Sequence, residues 1–517
     1  MKIKRILYNL SLLLFLFSSC ELFSSCEEKV VCTTRNVTLE DYRKFGDDCM
    51  SIRSMEVRNV IDSLIRNDKD DLAADIRTRK YYRQEGNFLW INRHGLTSQA
   101  DTLLRYLQTV GEMGFSPNRF CVKDIQNDIQ ITRDMGFDEA HPINHVFGRL
   151  EYKLTKAYLR YATGQRFGYT NPSFLLNRLD TLKPHRPDTI RRPVRYRGLF
   201  DIKMDLPDDD FYQMALRKIE KDSVPVFLSE IQPAGTFYRE LAKEFASGQG
   251  SKNWQAKLFC NMERARWRLK DYPQKHKKYI MVNIPSFHLM AVDEKDTLTM
   301  RIGCGTTETK TPLLTSTIKR MDVNPVWIVP RSIIEKDIIH YFSRSYCERR
   351  GFYVMDRRTG KELSMNQVHA GLLRDPMYAV VQRGGKGNSL GRLIFRFDNN
   401  FSVYLHDTSS RDFFKQQNRG VSHGCVRVEK PFELAKFILK DKSEKFLDNL
   451  NYCMTSDSLN DKKRIIRSIK VEPAVPLYLA YYTIYPTKGN TPAGWSEYPD
   501  VYGFDKAIYQ YLIKNYR

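Results

Sequence analysis

The chain has 517 residues, of which 42% are hydrophobic, and this is enough to bury a substantial core spread over two to four domains. Its ten cysteines include no CxxC pair and no cluster with histidines, which argues against structural zinc and against a small disulfide scaffold. A formal net charge of +22 suits an anionic partner, and a solvated basic surface explains it equally well. No basic segment carries a recognisable nucleic-acid motif, so we expect no nucleic acid among the partners.

The N-terminus has the pattern of an export signal. Lys2, Lys4 and Arg5 precede a mostly apolar run that is too short to span a bilayer comfortably. Small residues then lead to Cys20, as in a bacterial lipobox, where the cysteine becomes the lipid-carrying N-terminus. The same four residues recur and end at Cys26, so the choice between the two cysteines stays open. We predict a signal peptide over 1–20 with Cys20 as lipid anchor; a cleaved secretory signal or an uncleaved anchor is the alternative.

The next two segments differ in periodicity. Residues 21–55 are polar and weakly periodic, which is typical of a tether. From 56 to 250 the apolar spacing is helical, as in the stripe Phe147, Leu150, Leu154 and Tyr158, so we predict a helical domain. A proline-rich and charged stretch from residue 183 predicts a long surface loop inside it.

The pattern changes to short β-branched and aromatic runs near residue 279. The predicted strands cover 279–283, 289–292, 298–302, 393–397 and 402–405, and a helix is predicted over 432–439. The sequence therefore predicts an α+β protein, with a mainly helical N-terminal domain followed by a β-rich domain over 257–507 and a short tail over 508–517.

The most informative stretch runs from Tyr404 to Arg427. A thiolate nucleophile needs a nearby base, and both His406 and His423 are placed to serve Cys425. Gly424 permits a tight turn whose backbone N–H groups could stabilise an oxyanion. A free cysteine near a structural histidine is nevertheless common, so the pair alone indicates catalysis only weakly.

The segment Ser-His-Gly-Cys-Val-Arg at 422–427, preceded by His406 across a loop, resembles the signature of YkuD-type L,D-transpeptidases. The resemblance extends to the larger, YcbB-like members that carry a helical scaffold domain. Matching segments are Asn-Met-Glu-Arg-Ala-Arg-Trp at 261–267, Lys-Thr-Pro at 310–312, Asn-Pro-Val-Trp at 324–327 and Asn-Ser-Leu-Gly at 388–391. The chain departs from the family pattern in three places. No segment before residue 261 resembles the small wall-binding domain of many relatives, Ser409 stands where a proline is usual, and the loop at 383–387 is more basic and glycine-rich than usual.

The resemblance implies a role for each residue of the signature. Cys425 would be the nucleophile and His406 its base, with His423 and Gly424 shaping the oxyanion site. Ser422 and Tyr404 would line the cleft, and Arg427 would hold the substrate. Structural roles remain open for His423, through ring hydrogen bonds, and for Arg427, through a salt bridge.

The resemblance also implies an activity and a place in the cell. Residues 331–378 would form a lid, although their isoleucine pairs equally suit an ordinary core helix. The enzyme would cross-link peptidoglycan stem peptides in the periplasm or cell envelope, held to the membrane by its N-terminal anchor, and no metal or organic cofactor is implied. The alternatives are an L,D-carboxypeptidase and an inactive wall-binding scaffold protein.

Overall fold

The computed structural model describes residues 52–92, 95–182, 193–456, 458–486 and 494–517. The predicted signal peptide, Cys20, most of the tether and the proline-rich stretch from residue 183 lie outside these ranges. Packing divides the chain into two units. The first contains the described residues up to Tyr169, Pro207–Ser247 and Ile513–Arg517, and the second contains Thr170–Leu206 and Gly248–Leu512.

Helices dominate the chain up to residue 246, as the apolar spacing predicted. In chain order the elements are α1 Ser54–Asn67, α2 Ala73–Arg83, β1 Ile91–Asn92, β2 Gly95–Leu96, α3 Gln99–Gln108, α4 Val122–Asp134, α5 Ile143–Phe167, α6 Pro172–Leu176, β3 Thr181–Leu182, β4 Arg195–Tyr196, β5 Phe200–Asp201, α7 Asp209–Glu220, α8 Val224–Glu230 and α9 Thr236–Ala246, with 3₁₀ turns at Thr109–Met113 and Pro117–Phe120. The α-helices of the first unit are thus α1–α5 and α7–α9.

Helix α5 is the centre of the first unit. The predicted stripe Phe147, Leu150, Leu154 and Tyr158 is fully buried along it, which confirms the helical prediction. Glu151 on the same helix accepts a hydrogen bond of 3.0 Å from the backbone N–H of Trp90. Burial raises the pKa of this carboxyl to about 7. The helix therefore packs through both apolar contacts and a buried polar anchor.

The described residues between Thr170 and Leu206 pack with the second unit although they precede α7. Strand β5 is the reason, because it pairs in parallel with β9, Leu313–Val323, through Phe200 and Leu313. A pairing partner more than a hundred residues away leaves no periodic signal in the segment itself, and the sequence patterns accordingly predicted contiguous domains.

The second unit is built around one large sheet. Its elements up to residue 328 are α10 Lys252–Arg266, a 3₁₀ turn Pro273–Lys275, β6 Lys278–Asn283, β7 His288–Asp293, β8 Asp296–Gly305, β9, and β10 Trp327–Ile328. After residue 390 come β13 Leu393–Phe397, β14 Leu405–His406, a 3₁₀ turn Asp412–Lys415, β15 Gly420–Ser422, β16 Val426–Val428, α15 Pro431–Ile438, α16 Glu444–Thr455, a 3₁₀ turn Lys462–Arg464, β17 Ser468–Ala480, β18 Ile484–Pro486, β19 Trp495–Glu497 and α17 Phe504–Tyr516. Residues 508–517, predicted as a tail, thus lie almost entirely in α17.

The strand order is β13-β14-β16-β8-β7-β6-β17-β9-β5, with β15 beside β8. Because β13 also pairs with β9, hydrogen bonding closes most of these strands into a ring. Four predicted strands and the predicted helix are confirmed, within a few residues, by β6, β7, β8, β13 and α15.

The predicted strand over 402–405 is wrong in its start, since β14 begins at Leu405. The side chain of Asn399 accepts hydrogen bonds from the backbone N–H groups of Phe401 and Val403, and its amide donates to the carbonyl of Val403. An asparagine turn of this kind occupies backbone groups that a strand would need. Ser402 takes a φ of +54°, which no extended strand residue adopts.

Residues 329–382 form a subdomain of their own within the second unit. Its elements are α11 Arg331–Ile333, a π-helix Ile334–Ile338, α12 Ile339–Tyr341, α13 Arg344–Arg350, β11 Phe352–Asp356, a 3₁₀ turn Met365–Gln367, α14 Ala370–Leu373 and β12 Tyr378–Gln382, and β12 lies between β10 and β11. Ile334 and Ile338 are buried in its apolar core. That this segment moves as a lid stays a prediction. Across the described ranges, no helix combines the length and apolar character needed to cross a bilayer.

Candidate active site

The turn between β15 and β16 carries the predicted nucleophile. Within this turn, the hydroxyl of Ser422 accepts a hydrogen bond of 3.1 Å from the N–H of Gly424 and donates one of 2.6 Å to the carbonyl of Cys425. Gly424 has a φ of +118°, a conformation that favours glycine. The N–H of Gly424 is therefore engaged within the turn in this structure, and Ser422 holds the turn as well as lining the cleft beside it.

The Lys-Thr-Pro segment braces this turn from the side. The hydroxyl of Thr311 accepts a hydrogen bond from the N–H of Gly305 and donates one of 2.9 Å to the carbonyl of Gly424. Thr309 donates from its hydroxyl to the carbonyl of Ser422 at 2.8 Å. The segment was matched from sequence without a role, and the structure supplies one: it fixes the backbone that presents Cys425.

His406 lies at the end of β14 and is buried. Its Nδ1 is 2.5 Å from the backbone carbonyl of Asp407, which can only accept, so Nδ1 carries the proton of the neutral ring and Nε2 carries its lone pair. Burial, helped by the positive charge of Arg427, lowers the pKa of His406 to about 3. The ring is thus neutral at physiological pH and able to take a proton.

Asp407 orients the histidine through its backbone rather than its carboxylate. The carboxylate accepts a hydrogen bond of 2.8 Å from the N–H of Arg392 and lies 3.4 Å from the guanidinium of Arg411. Through these two contacts the carboxylate of Asp407 stabilises the turn that follows β14.

Cys425 is half-buried and free, and it lines the same cleft as His406. Burial raises the pKa of its thiol to about 11, although a backbone hydrogen bond from Tyr404 and the charges of Arg427 and Arg396 act in the opposite direction. Among the described residues, the thiol makes no hydrogen bond to the imidazole. Thiol and imidazole are accordingly both neutral before substrate binds.

Arg427 follows on β16, where it is the register partner of His406. Its Nε atom is buried without a hydrogen-bond partner, and its guanidinium carbon lies 5.6 Å from the centre of the Phe413 ring. No carboxylate of the described chain pairs with it, so the salt bridge considered from sequence is not present there. A half-buried cation whose Nε is buried without a partner costs free energy, and it faces a cleft in which an anionic substrate group could neutralise it.

The cleft has a volume of about 380 Å³ and brings the predicted residues together. Those that line it are Tyr404, His406, Ser422, His423, Cys425 and Arg427, while Gly424 forms the turn behind them. Burial raises the pKa of Tyr404 to about 12, so its hydroxyl is protonated. Cys20 lies outside the described residues.

Sequence reasoning missed the opposite wall of the cleft. It is formed by side chains of the 329–382 subdomain and its flanks: Trp327, Pro330, Ser332, Ile333, Asp337, Ile338, Tyr346, Arg350 and Phe352. Asp337 lies on the π-helix with its carboxylate 3.4 Å from Nε2 of the exposed His423. The predicted lid over residues 331–378 was the one indication of this wall in the sequence, because no motif or spacing marks the individual residues. Among the described residues, no group of metal-binding side chains gathers here or elsewhere.

Comparison with known proteins agrees with this arrangement. Residues 277–446 match the YkuD family model, an L,D-transpeptidase catalytic domain, and residues 77–245 match the Scaffold domain model. A Haemophilus influenzae protein named "Putative L,D-transpeptidase" is 27% identical over 308 residues, or 58% of this chain and 59% of that protein. The match thus spans less than two thirds of the relative's length.

Two solved structures are also similar in part. An L,D-transpeptidase from Mycobacterium smegmatis is 13% identical with a TM-score of 0.19, over 40% of this chain and 58% of that one. The Ldtfm–avibactam carbamoyl enzyme is 14% identical with a TM-score of 0.16, over 31% of this chain and 43% of that one. Both TM-scores lie far below 0.5, so the family assignment rests on the two domain models and the sequence relative.

Proposed function

Because the chain belongs to the L,D-transpeptidases that carry a YkuD catalytic domain, we propose that it cross-links peptidoglycan stem peptides by acyl transfer through Cys425. One observation supports this most strongly. Cys425, a neutral His406 and a guanidinium without a carboxylate partner at Arg427 line the same cleft. This set supplies a nucleophile, a base and a site for a substrate carboxylate.

The first step forms an acyl-enzyme. The sulfur of Cys425 attacks the carbonyl of the diamino acid at the third stem position while Nε2 of His406 takes the thiol proton. The tetrahedral intermediate then collapses, the bond to the terminal D-alanine breaks, and the departing amine takes the proton from His406. Because the pKa of the thiol is about 11 and that of the imidazole about 3, proton transfer has to accompany carbon–sulfur bond formation.

Substrate binding makes this transfer easier. A carboxylate at Arg427 would neutralise the charge that helps to lower the pKa of His406, so the imidazole becomes a stronger base when the cleft is occupied. The hydroxyl of Ser422 and the hydroxyl of Thr311 keep the turn in place meanwhile. A substrate analogue without a carboxylate would leave the charge of Arg427 in place and would therefore not raise the pKa of His406.

The second step transfers the acyl group to an amine of another stem. His406 takes a proton from the attacking amine, the new amide bond forms, and the released sulfur recovers a proton. The wall of the cleft formed by residues 327–352 would shield the thioester from water and so favour the amine over hydrolysis. We also propose that the enzyme works in the periplasm or cell envelope, anchored to the membrane through Cys20.

The test is turnover of purified disaccharide-tetrapeptide, read by mass spectrometry. The wild type should yield a dimer that has lost one D-alanine, and Cys425→Ala should yield none. Cys121→Ala is the matched control, since Cys121 is also free and half-buried, and it should retain turnover. Tripeptide monomer alone would identify a carboxypeptidase instead, and product formation by Cys425→Ala would refute the cysteine mechanism.

A further inference from the structure

A row of cations crosses the sheet next to the cleft. Arg396 on β13 is the register partner of Arg320 on β9, and Arg320 is in turn the register partner of Lys470 on β17. The guanidinium carbon of Arg396 lies 5.2 Å from the ring centre of Tyr404, which lines the cleft. We call these three side chains the cationic row; it begins beside Tyr404 and leads away from Cys425.

All three side chains are on the solvent side of the sheet. Their exposed fractions rise with distance from the cleft, from 39% for Arg396 to 56% for Arg320 and 76% for Lys470. Most residues that flank them in their strands are buried, for example Ile469 and Val471 around Lys470, whereas Lys319 beside Arg320 is itself exposed. The alternation expected of a strand therefore presents the charged groups together on one face.

The carboxylates beside the row do not neutralise it fully. Asp322 is shared by the two arginines, with oxygen atoms 2.9 Å from Nε of Arg320 and 2.6 Å from Nε of Arg396. Lys470 pairs with Glu472, but both side chains are highly exposed, and such pairs contribute little in water. The row keeps a net positive charge that an anionic ligand could contact.

Sheet stability explains only part of the arrangement, because Asp322 bridges Arg320 and Arg396 whereas Lys470 pairs only with the exposed Glu472. Like charges at directly opposite positions of neighbouring strands are destabilising, and the row places two such pairs side by side. The ladder is interrupted immediately after Arg396 and after Lys470, and interruptions of this kind are common next to active sites, where they redirect side chains. Proteins keep locally unfavourable patterns mainly at functional sites, so this charge pattern beside the cleft indicates a binding surface.

We propose that the cationic row binds carboxylates of the peptidoglycan polymer that lie beyond the stem held in the cleft. Neighbouring strands are about 4.8 Å apart, so Lys470 lies roughly 15 Å across the sheet from Tyr404. An extended peptide covers about 3.5 Å per residue, so the distance from Tyr404 to Lys470 corresponds to roughly four residues. The ligand is part of a polymer rather than the tetrapeptide alone. This inference rests on the proposed function.

Binding to polymer can be measured without turnover. In a Cys425→Ala background, Arg320→Glu with Lys470→Glu should raise the concentration of insoluble peptidoglycan needed for half-maximal co-sedimentation on the order of tenfold at low salt. The matched control is Lys277→Glu with Lys440→Glu. These lysines are exposed and paired with single carboxylates, Glu294 and Asp296, and the change in net charge is the same. The control should bind like the parent protein.

A second arm identifies the ligand. Peptidoglycan whose carboxylates have been converted to amides should bind the parent protein as weakly as native polymer binds the row variant. Undiminished binding to the amidated polymer would overturn the carboxylate assignment. Equal losses in the row variant and the control, or no loss in either, would overturn the row as a binding surface.

Turnover separates this proposal from the one on which it rests. With Cys425 intact, the row variant should convert monomeric disaccharide-tetrapeptide within about twofold of wild type, because the row lies outside the residues that carry out the reaction. An equal loss on monomer and polymer would show that the row acts through the fold and would overturn the proposal. Absence of turnover in the wild type would refute the proposed function and leave the sedimentation result intact.

Discussion

The rate of alkylation of Cys425 tests whether the free protein holds a neutral thiol. With the pKa raised from 9.0 to about 11, only about 0.1% of the thiol is ionised at pH 8, against about 10% for an unperturbed cysteine. Since the thiolate is the reacting form, iodoacetamide should modify Cys425 about a hundredfold more slowly than an unperturbed cysteine. The rate should rise about tenfold per pH unit up to about pH 10.

The assay follows the alkylated peptide that contains Cys425 by mass spectrometry over a series of quenched reactions. His406→Gln is the informative variant. Because a neutral imidazole does not hold a thiolate in the free protein, this substitution should change the alkylation rate by less than about threefold, while turnover is lost. Cys121 provides an internal control in the same digest, since burial raises its pKa as well.

Two results would refute this reasoning. One is an alkylation rate that reaches a plateau below pH 8, which would mean that the thiolate is already formed. The other is a hundredfold fall in rate on replacing His406, which would mean that an imidazolium stabilises the thiolate. Either outcome would replace proton transfer during attack with a preformed ion pair.

Three further predictions concern the turn and the base. Ser422→Ala leaves the N–H of Gly424 and the carbonyl of Cys425 without their partner, so we expect a loss of about 1–3 kcal/mol in the free energy of unfolding by urea denaturation; an unchanged midpoint would contradict the role of this hydroxyl. Gly424→Ala should cost about 1–3 kcal/mol through its φ of +118° alone, since the nearest atoms lie 3.6 Å or more from the added carbon, and turnover should fall with it; full activity would show that the turn relaxes. The pKa of His406 is lowered in the folded protein from 6.5 to about 3, so its neutral form stabilises the fold above pH 6.5. This contribution to the free energy of unfolding is lost as the pH falls from 6.5 towards 3, and the loss reaches about 2 kcal/mol at pH 5. His406→Gln should lose correspondingly less stability between pH 7 and pH 5, and an equal slope would contradict the low pKa.

Local patterns determined much of the second unit. Short runs of β-branched and aromatic residues located β6, β7, β8 and β13 to within a few residues, because such side chains suit the pleated, half-buried surface of a strand. The start of β14 was misplaced, since the side chain of Asn399 competes for backbone hydrogen bonds. This competition depends on the side-chain conformation of Asn399, and a pattern of apolar residues gives no information about it.

The sequence by itself determined the identity of the chemical groups. Cys425, His406 and Arg427 were placed together by the resemblance of one short segment, whose residue types suit acyl transfer. Whether the first 51 residues include a lipid anchor stays a prediction from sequence.

Only the tertiary structure decided the pKa values and the contacts of those groups. Burial sets the thiol and the imidazole far apart in pKa, and among the residues described no carboxylate neutralises the charge that Arg427 presents to the cleft. Asp337 meets His423 from more than eighty residues away, and Arg320 meets Lys470 across a strand pair. The physical reason is the same throughout: pKa values and pairings depend on neighbours brought together by packing, whereas a sequence shows only neighbours along the chain.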